Sequence, residues 1–256
     1  MTAEILFERV NKTFARPDGG APYEAIHDLS FAVGRGELVA VLGKTGCGKS
    51  TTFNLISGLI RPSHGRVLVQ GHDPYVDFAW FRGKIGIVFQ NDRLMPWRTA
   101  IDNVALGLEL NRLPKPARLD IAASWLKRLG LGGHEHDYPH ALSGGMRQRV
   151  SIARAFAGKP DILLCDEPFS ALDEHTGQAL RQEFRDLLRQ TGATSIFITH
   201  SIDEALWLGE RLLVFARPAR IAYETALSAD MSAAERDTIR TRIRGVLAGE
   251  GAGVDR

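Results

Sequence analysis

One stretch constrains this chain more than any other. Gly43-Lys44-Thr45-Gly46-Cys47-Gly48-Lys49-Ser50 fits the pattern G-x-x-x-x-G-K followed by Ser or Thr. The apolar run Leu38 to Leu42 precedes it, and Thr51 to Leu55 can open a helix. Strand, glycine-rich loop and helix in that order require a layered α/β architecture. In it, successive backbone N–H groups of the loop face a phosphate chain, and the helix N-terminus adds partial positive charge. On this reading Gly43, Lys44, Thr45, Gly46, Cys47, Gly48 and Thr51 wrap the phosphates, Lys49 reaches the β- and γ-phosphates, and Ser50 ligates Mg²⁺.

The rest of the chain repeats the α/β theme. Glu37 to Leu42, Ile85 to Phe89, Asp161 to Cys165, Thr194 to Ile198 and Arg211 to Phe215 are short apolar runs. Several lack alternation, as strands buried on both faces of a parallel sheet do. Leu180, Phe184, Leu187 and Leu188 mark a helix face between two of them, with Gly192 as its stop. Ile5 to Val10, Ala25 to Val33 and Arg66 to Gln70 instead alternate, which predicts a small antiparallel sheet beside the parallel one. From about 91 to 158 the strand pattern disappears. Ile121, Ala122, Trp125, Leu126 and Leu129 mark an amphipathic helix there, closed by Gly130, so this stretch reads as a helical insertion. Near the end, Ser232 to Glu235 fits a capping box, with Ile239, Ile243, Val246 and Leu247 as the apolar face.

Composition narrows the class. Across 256 residues, 44% are hydrophobic and 24% charged, enough for one large core. No apolar run approaches the ~20 residues of a membrane span, and the first ten residues lack the order of a signal peptide. Lys+Arg 32 against Asp+Glu 30 gives +2, which provides no electrostatic case for nucleic acid. Two cysteines make no disulfide framework and fit a reducing compartment.

A second chemical signal is Ile162-Leu163-Leu164-Cys165-Asp166-Glu167-Pro168. An apolar strand delivers two acids at its C-terminal end, where open α/β sheets bind ligands. Beside a phosphate loop, Asp166 suits Mg²⁺ and Glu167 suits orienting an attacking water; alone, the pair would read equally well as solvated acids.

The third signal is Leu142-Ser143-Gly144-Gly145-Met146-Arg147-Gln148-Arg149. With all three in order, the chain from about Ile5 to Tyr223 resembles the nucleotide-binding subunit of an ATP-binding cassette (ABC) transporter. The resemblance implies a P-loop NTPase (RecA-like) α/β core with an N-terminal antiparallel β subdomain and an inserted helical subdomain. It places an ABC ATPase domain at 1–223, with the helical subdomain at about 91–158, and a helical tail at 224–256. It assigns Gln90 as the Q-loop glutamine, which also reaches the metal, Asp173 in Ser170-Ala171-Leu172-Asp173 as the D-loop dimer contact, and His200 as the switch histidine. Phe14 is the best match for the ring stacked on adenine, with Tyr23 as its rival. The family works as a homodimer in which Ser143, Gly144 and Gly145 meet the ATP of the partner. Lys44, Thr45, Met146 and Ser201 depart from commoner family residues without removing an assigned catalytic group.

Leu94 to Val104, together with Met146, resembles the nitrate/sulfonate/taurine importer branch. That branch has two separate transmembrane permease subunits and an extracytoplasmic solute-binding protein, and its ATPase sits on the cytoplasmic face of the inner membrane. In the resemblance Met95 and Trp97 meet a permease helix; Trp97 reads alternatively as core of the helical subdomain. The rival for the whole chain is a soluble ABC ATPase of DNA repair, chromosome maintenance or translation, against which stand the single cassette, the missing heptad insertion and the missing basic block. An exporter is a third class. Outside these motifs, His134-Glu135-His136-Asp137-Tyr138-Pro139-His140 contains metal-ligand residue types but reads as an exposed loop. Arg236, Arg240, Arg242 and Arg244 read as a solvated helix face or a lipid contact. Cys47, at a helix N-terminus near Lys49, is expected to have a lowered pKa and to be the reactive thiol, unless it is packed beneath the loop; Cys165 is expected to be inert.

Overall fold

The apolar run ahead of the glycine-rich loop forms strand β3 (Leu38–Gly43), buried along its whole length. Side chains on both faces are covered, so there is no alternation to see. Parallel neighbours flank it, β7 (Thr194–Thr199) on one side and β8 (Arg211–Ala216) on the other. The computed structural model describes residues 3–17, 19–170, 174–228 and 230–249. They fall into two units, Met1–Phe78 with Thr194–Arg256, and Ala79–Ala193.

In the first unit, β1 (Ile5–Phe14), β2 (Tyr23–Val33) and β4 (His64–Val69) form the expected antiparallel sheet, in the order β2-β1-β4. β1 runs beyond the alternating segment that ends at Val10. Its register shifts between Phe7 and Val10 and again before Thr13, so the period of two fails where the strand continues. Arg9 sits at φ 45 in that irregularity. Gly65 lies so close to the carbonyls of Glu8 and Arg9 that a Cβ there would collide with backbone.

Strand β9 (Arg220–Ala226) pairs antiparallel with β8 and has no counterpart among the expected strands. Its inward face, Ile221, Tyr223 and Thr225, is only half-buried, with Tyr223 packed against the cluster around Leu212 and Val214, so no position in it is fully buried. Helix α1 (Lys49–Ile56) follows the glycine-rich loop, and α7 (Ile202–Leu208) follows β7. The last helix, α8 (Ala233–Ala248), opens with the expected capping box of Ser232 and Glu235. Its Ile243 is buried among Leu42, Ala205, Leu212 and Val214, with Ile239, Val246 and Leu247 beside it. Of the four arginines of α8, Arg242 and Arg244 are exposed as a solvated face would be, and Arg236 and Arg240 are not. Arg240 Nη2 holds Asp203 at 2.8 Å, and Arg236 Nη1 donates to Leu206 O at 3.2 Å, both on α7.

In the second unit, β5 (Ile85–Val88) and β6 (Ile162–Asp166) pair in parallel. Between them the described residues hold helices and no strand: α2 (Ala100–Val104), α3 (Leu106–Leu110), α4 (Lys115–Arg128) and α5 (Gly144–Ala157). α6 (Glu174–Thr191) follows β6 and buries Leu180, Phe184, Leu187 and Leu188, the face expected from their spacing. An edge-to-face chain of rings joins these helices: Phe156 of α5 meets Phe184 of α6 at 5.7 Å, and Phe184 meets Phe169 at 5.3 Å. Buried phenylalanines of this kind are worth about 3–5 kcal/mol each against Ala.

Candidate active site

The phosphate loop lies in the first unit. β3 ends at Gly43, and the chain turns so that Cys47 N donates to Lys44 O at 3.2 Å before α1 begins. The N-cap of α1 is Gly48 in the left-handed region (φ 106), with no side-chain cap. A Cβ at Gly48 would lie 2.5 Å from Ala25 O and 2.6 Å from Ala219 Cβ, so only glycine fits. Lys49 is 7% exposed, and its Nζ donates to Gly43 O at 2.7 Å and Lys44 O at 3.2 Å. The ammonium is thus held inside the curl of its own loop, while Lys44, Thr45, Gly46 and Ser50 face solvent around it and Thr51 is half-buried. An uncapped helix start carrying one cation is suited to an anion.

Phe14 and Tyr23 are register partners on β1 and β2. Tyr23 Oη donates to Gly46 O at 3.1 Å, which ties that ring to the loop, whereas the Phe14 ring is 37% exposed.

Cys47 corrects the sequence expectation. It is only 2% exposed, and a Cβ at Gly43 would lie 2.5 Å from its Sγ, so it fills the space beneath the loop. Burial pushes the thiol up, and the opposing pull of the Lys49 charge is the smaller effect. Cys165 is buried as expected; desolvation, then the nearby Asp166 charge, raises its thiol well above the usual range.

His200 is exposed directly after β7. Ser201 caps α7 by accepting from Glu204 N at 3.2 Å, and Thr199 Oγ1 donates to Glu204 at 2.7 Å, so the turn bearing His200 is fixed on either side. Ser201 therefore does the capping work that Asp would also do.

The second unit carries the acids and the signature. β6 ends at Asp166, and Glu167 follows at φ 47, a conformation that costs a non-glycine residue about 1–2 kcal/mol. Gln90 Nε2 donates to Glu167 Oε2 at 3.2 Å, bringing two of the expected residues together. Ser170 closes the turn, its N and Oγ donating to Glu167 O at 3.2 and 3.0 Å. Ser143 caps α5 by accepting from Met146 N at 3.3 Å, and the exposed Ser143 and Gly144 leave that helix start open. Ala171, Leu172 and Asp173 lie outside the described residues.

Sequence reasoning gave no role to the residues that bind these parts to one another. Arg147 Nε donates to Asp92 Oδ2 at 2.9 Å, Arg154 Nη2 to Asp92 O at 2.7 Å, and Gln148 Nε2 to Pro168 O at 2.6 Å. Arg147 and Gln148 lie in the signature stretch itself, so only their partners were hidden. In the histidine-rich segment, His134 Nδ1 meets Asp137 Oδ2 at 2.7 Å and Glu135 accepts from Gly133 N at 2.9 Å. The carbonyls of Asp137 and Glu135 accept from Ala100 N and Ile101 N, so this segment supports the start of α2.

A mixed α/β fold with a phosphate loop after a buried parallel strand defines a P-loop nucleotide-binding domain. Residues 26–170 match the ABC transporter family. The chain is 42% identical over 225 residues to an ABC transporter ATP-binding protein of Methanocaldococcus jannaschii, covering 86% of this chain and 81% of that one. It is 44% identical over 204 residues to the taurine import ATP-binding protein TauB of Escherichia coli, covering 79% and 78%. It is 40% identical over 218 residues to the nitrate import ATP-binding protein NrtD of Synechococcus elongatus, covering 83% and 76%. Among solved structures, a dimeric post-hydrolysis state of the ATP-binding cassette MJ0796 with ADP and Pi matches with a TM-score of 0.79 at 33% identity, over 88% of this chain and 99% of that one. The chain belongs to the ABC transporter family, and within it is an ATP-binding, ATP-hydrolysing subunit.

Proposed function

We propose that this ATPase drives solute uptake, of the taurine or nitrate type, as a homodimer on two separate permease subunits at the cytoplasmic face of a membrane. Relatives named for taurine and nitrate import support uptake over DNA repair or translation. A solute-binding protein on the far side would deliver the solute; nucleic acid has no part. No helix of the described residues is long and apolar enough to cross a membrane.

The observation that carries the catalytic reading is Glu167. A strained carboxylate residue at a strand end, bonded through its side chain to Gln90 and through its carbonyl to Ser170, is a positioned group, and strain of this kind collects at functional sites. Glu167 orients and polarises the attacking water. The phosphates lie along the backbone of Gly43 to Thr51, Lys49 offsets β/γ charge, and His200 steadies the γ-phosphate. Phe14 stacks on adenine while Tyr23 fixes the loop. Ser143, Gly144 and Gly145 act on the nucleotide of the partner, and Asp173 joins the dimer contact.

The residue types suit Mg²⁺. The Ser50 hydroxyl in the first unit, and an Asp166 carboxylate oxygen and the Gln90 amide oxygen in the second, are hard oxygen donors, and Gln90 turns its amide nitrogen to Glu167, leaving the oxygen as the donor end. Held by such donors, the ion would neutralise charge on the transferring phosphoryl group.

A groove of about 480 Å³ in the second unit supports a permease contact. Ile87, Phe89, Met95, Leu106 and Leu110 line it, with Arg93 and Arg154 beside them. An amphipathic helix with apolar anchors and an acid fits such a surface. Trp97, 71% exposed, is not core and stands next in the chain but one to Met95.

Affinity purification of the tagged subunit from its own membranes tests this reading. We expect two integral membrane subunits to co-purify, and deletion of the subunit to abolish uptake of a sulfonate or nitrate. Recovery free of membrane proteins, with ATP hydrolysis stimulated by DNA or ribosomes, would overturn it.

A further inference from the structure

Helix α5 does more than present Ser143. Gln148, on its second turn, is a polar side chain only 3% exposed, and it gives its Nε2 to the carbonyl of Pro168 at 2.6 Å. Pro168 has no N–H with which to anchor itself, so its carbonyl is the backbone handle available at that position. It follows Glu167, whose φ of 47 persists only if the surroundings over-determine it. Ser170 ties the turn locally. α5 reaches it from outside, through Gln148 and through the ring contacts Phe156–Phe184–Phe169.

The same helix controls the other side of Glu167. Its Arg147 and Arg154 hold Asp92 side chain and backbone at 2.9 and 2.7 Å, and Arg154 also holds Arg93 O at 2.8 Å. These residues directly follow the Gln90 segment, whose amide bonds the Glu167 carboxylate. A shift of α5 therefore moves the backbone after Glu167 and the partner of its side chain together.

We propose that Gln148 is a positioning residue: its bond to Pro168 sets the Glu167 carboxylate direction and makes it depend on where α5 sits. This rests on the reading of Glu167 as the group that acts on water. Gln148 touches no substrate; it acts through Glu167.

The test compares Gln148→Met, which keeps length and loses the donor, with Gln148→Glu, which keeps shape and sets an acceptor against the carbonyl. ATP hydrolysis by the full chain is measured in single turnover and steady state, in the native and Glu167→Gln backgrounds. A carboxylate misplaced by ~1 Å should cost up to about 100-fold in kcat. KM for ATP should stay within about twofold, and the loss should disappear in the Glu167→Gln background, since residues acting through one group are not additive. An equal fractional loss in both backgrounds, a loss confined to KM, or failure of both variants to fold would make the bond structural and overturn the proposal. If Glu167→Gln alone turns over normally, it is the reading of Glu167 that fails instead.

Discussion

Burial outweighs charge at Cys47, and the reversal has a measurable consequence. A helix start and a neighbouring ammonium both favour thiolate, yet the sulfur lies beneath the loop, where desolvation opposes charge more strongly. Its pKa is raised, so at a given pH it holds less thiolate than a free cysteine, and reactivity grows only as pH rises. Cys165 is raised further for the same reason. Native protein treated with an alkylating reagent at neutral pH should leave both thiols unmodified, and denaturation should expose both. Mass spectrometry of the peptides checks this; labelling of native Cys47 at the rate of a free thiol would contradict its place under the loop. The residue types of the phosphate loop were legible because glycine and lysine spacing reports backbone shape. The state of Cys47 was not, because spacing does not say which side of a loop faces the core.

At the scale of elements, a buried amide ties down the loop bearing Trp97, beside the Arg98–Glu109 ion pair. Asn103 of α2 is fully buried; its Oδ1 accepts from Met95 N at 2.7 Å, and its Nδ2 faces Arg98 O and Thr99 O at 3.0 Å. Asn103→Ala would leave these groups buried without partners, at about 1–3 kcal/mol, and should lower the melting temperature by several degrees. Trp97→Ala removes an exposed ring, so stability should change by less than ~0.5 kcal/mol, whereas permease assembly should weaken by about 2 kcal/mol. Calorimetry with pull-down separates the two; a large melting loss for Trp97→Ala would make it a packing residue. Elements were legible where both faces are buried, as in β3, or where a helix face repeats, as in α6. β9 escaped because its inward face, Ile221, Tyr223 and Thr225, is only half-buried and alternates in part with alanines, a weak contrast in sequence, and the end of β1 because its register shifts break the alternation. The Gln90–Glu167 and Gln148–Pro168 bonds join residues far apart in sequence, and no local spacing announces them.

For the whole molecule, the proposed action in trans assigns different tasks to the phosphate loop with its own lysine and to the signature helix with its open start. Lys49→Ala should weaken nucleotide binding by the isolated subunit, about 10- to 100-fold for a charged contact. Ser143→Arg should spare it and abolish nucleotide-driven dimerisation. Titration of each monomer with ATP checks this, and equal loss of affinity in both would contradict action in trans. Hydrolysis by a positioned glutamate is decided by the turnover of Glu167→Gln, with ATP binding followed in parallel. ATP binding should remain within about twofold while turnover falls about 10²- to 10⁴-fold and the ATP-bound dimer accumulates. Near-normal turnover with binding intact would contradict it.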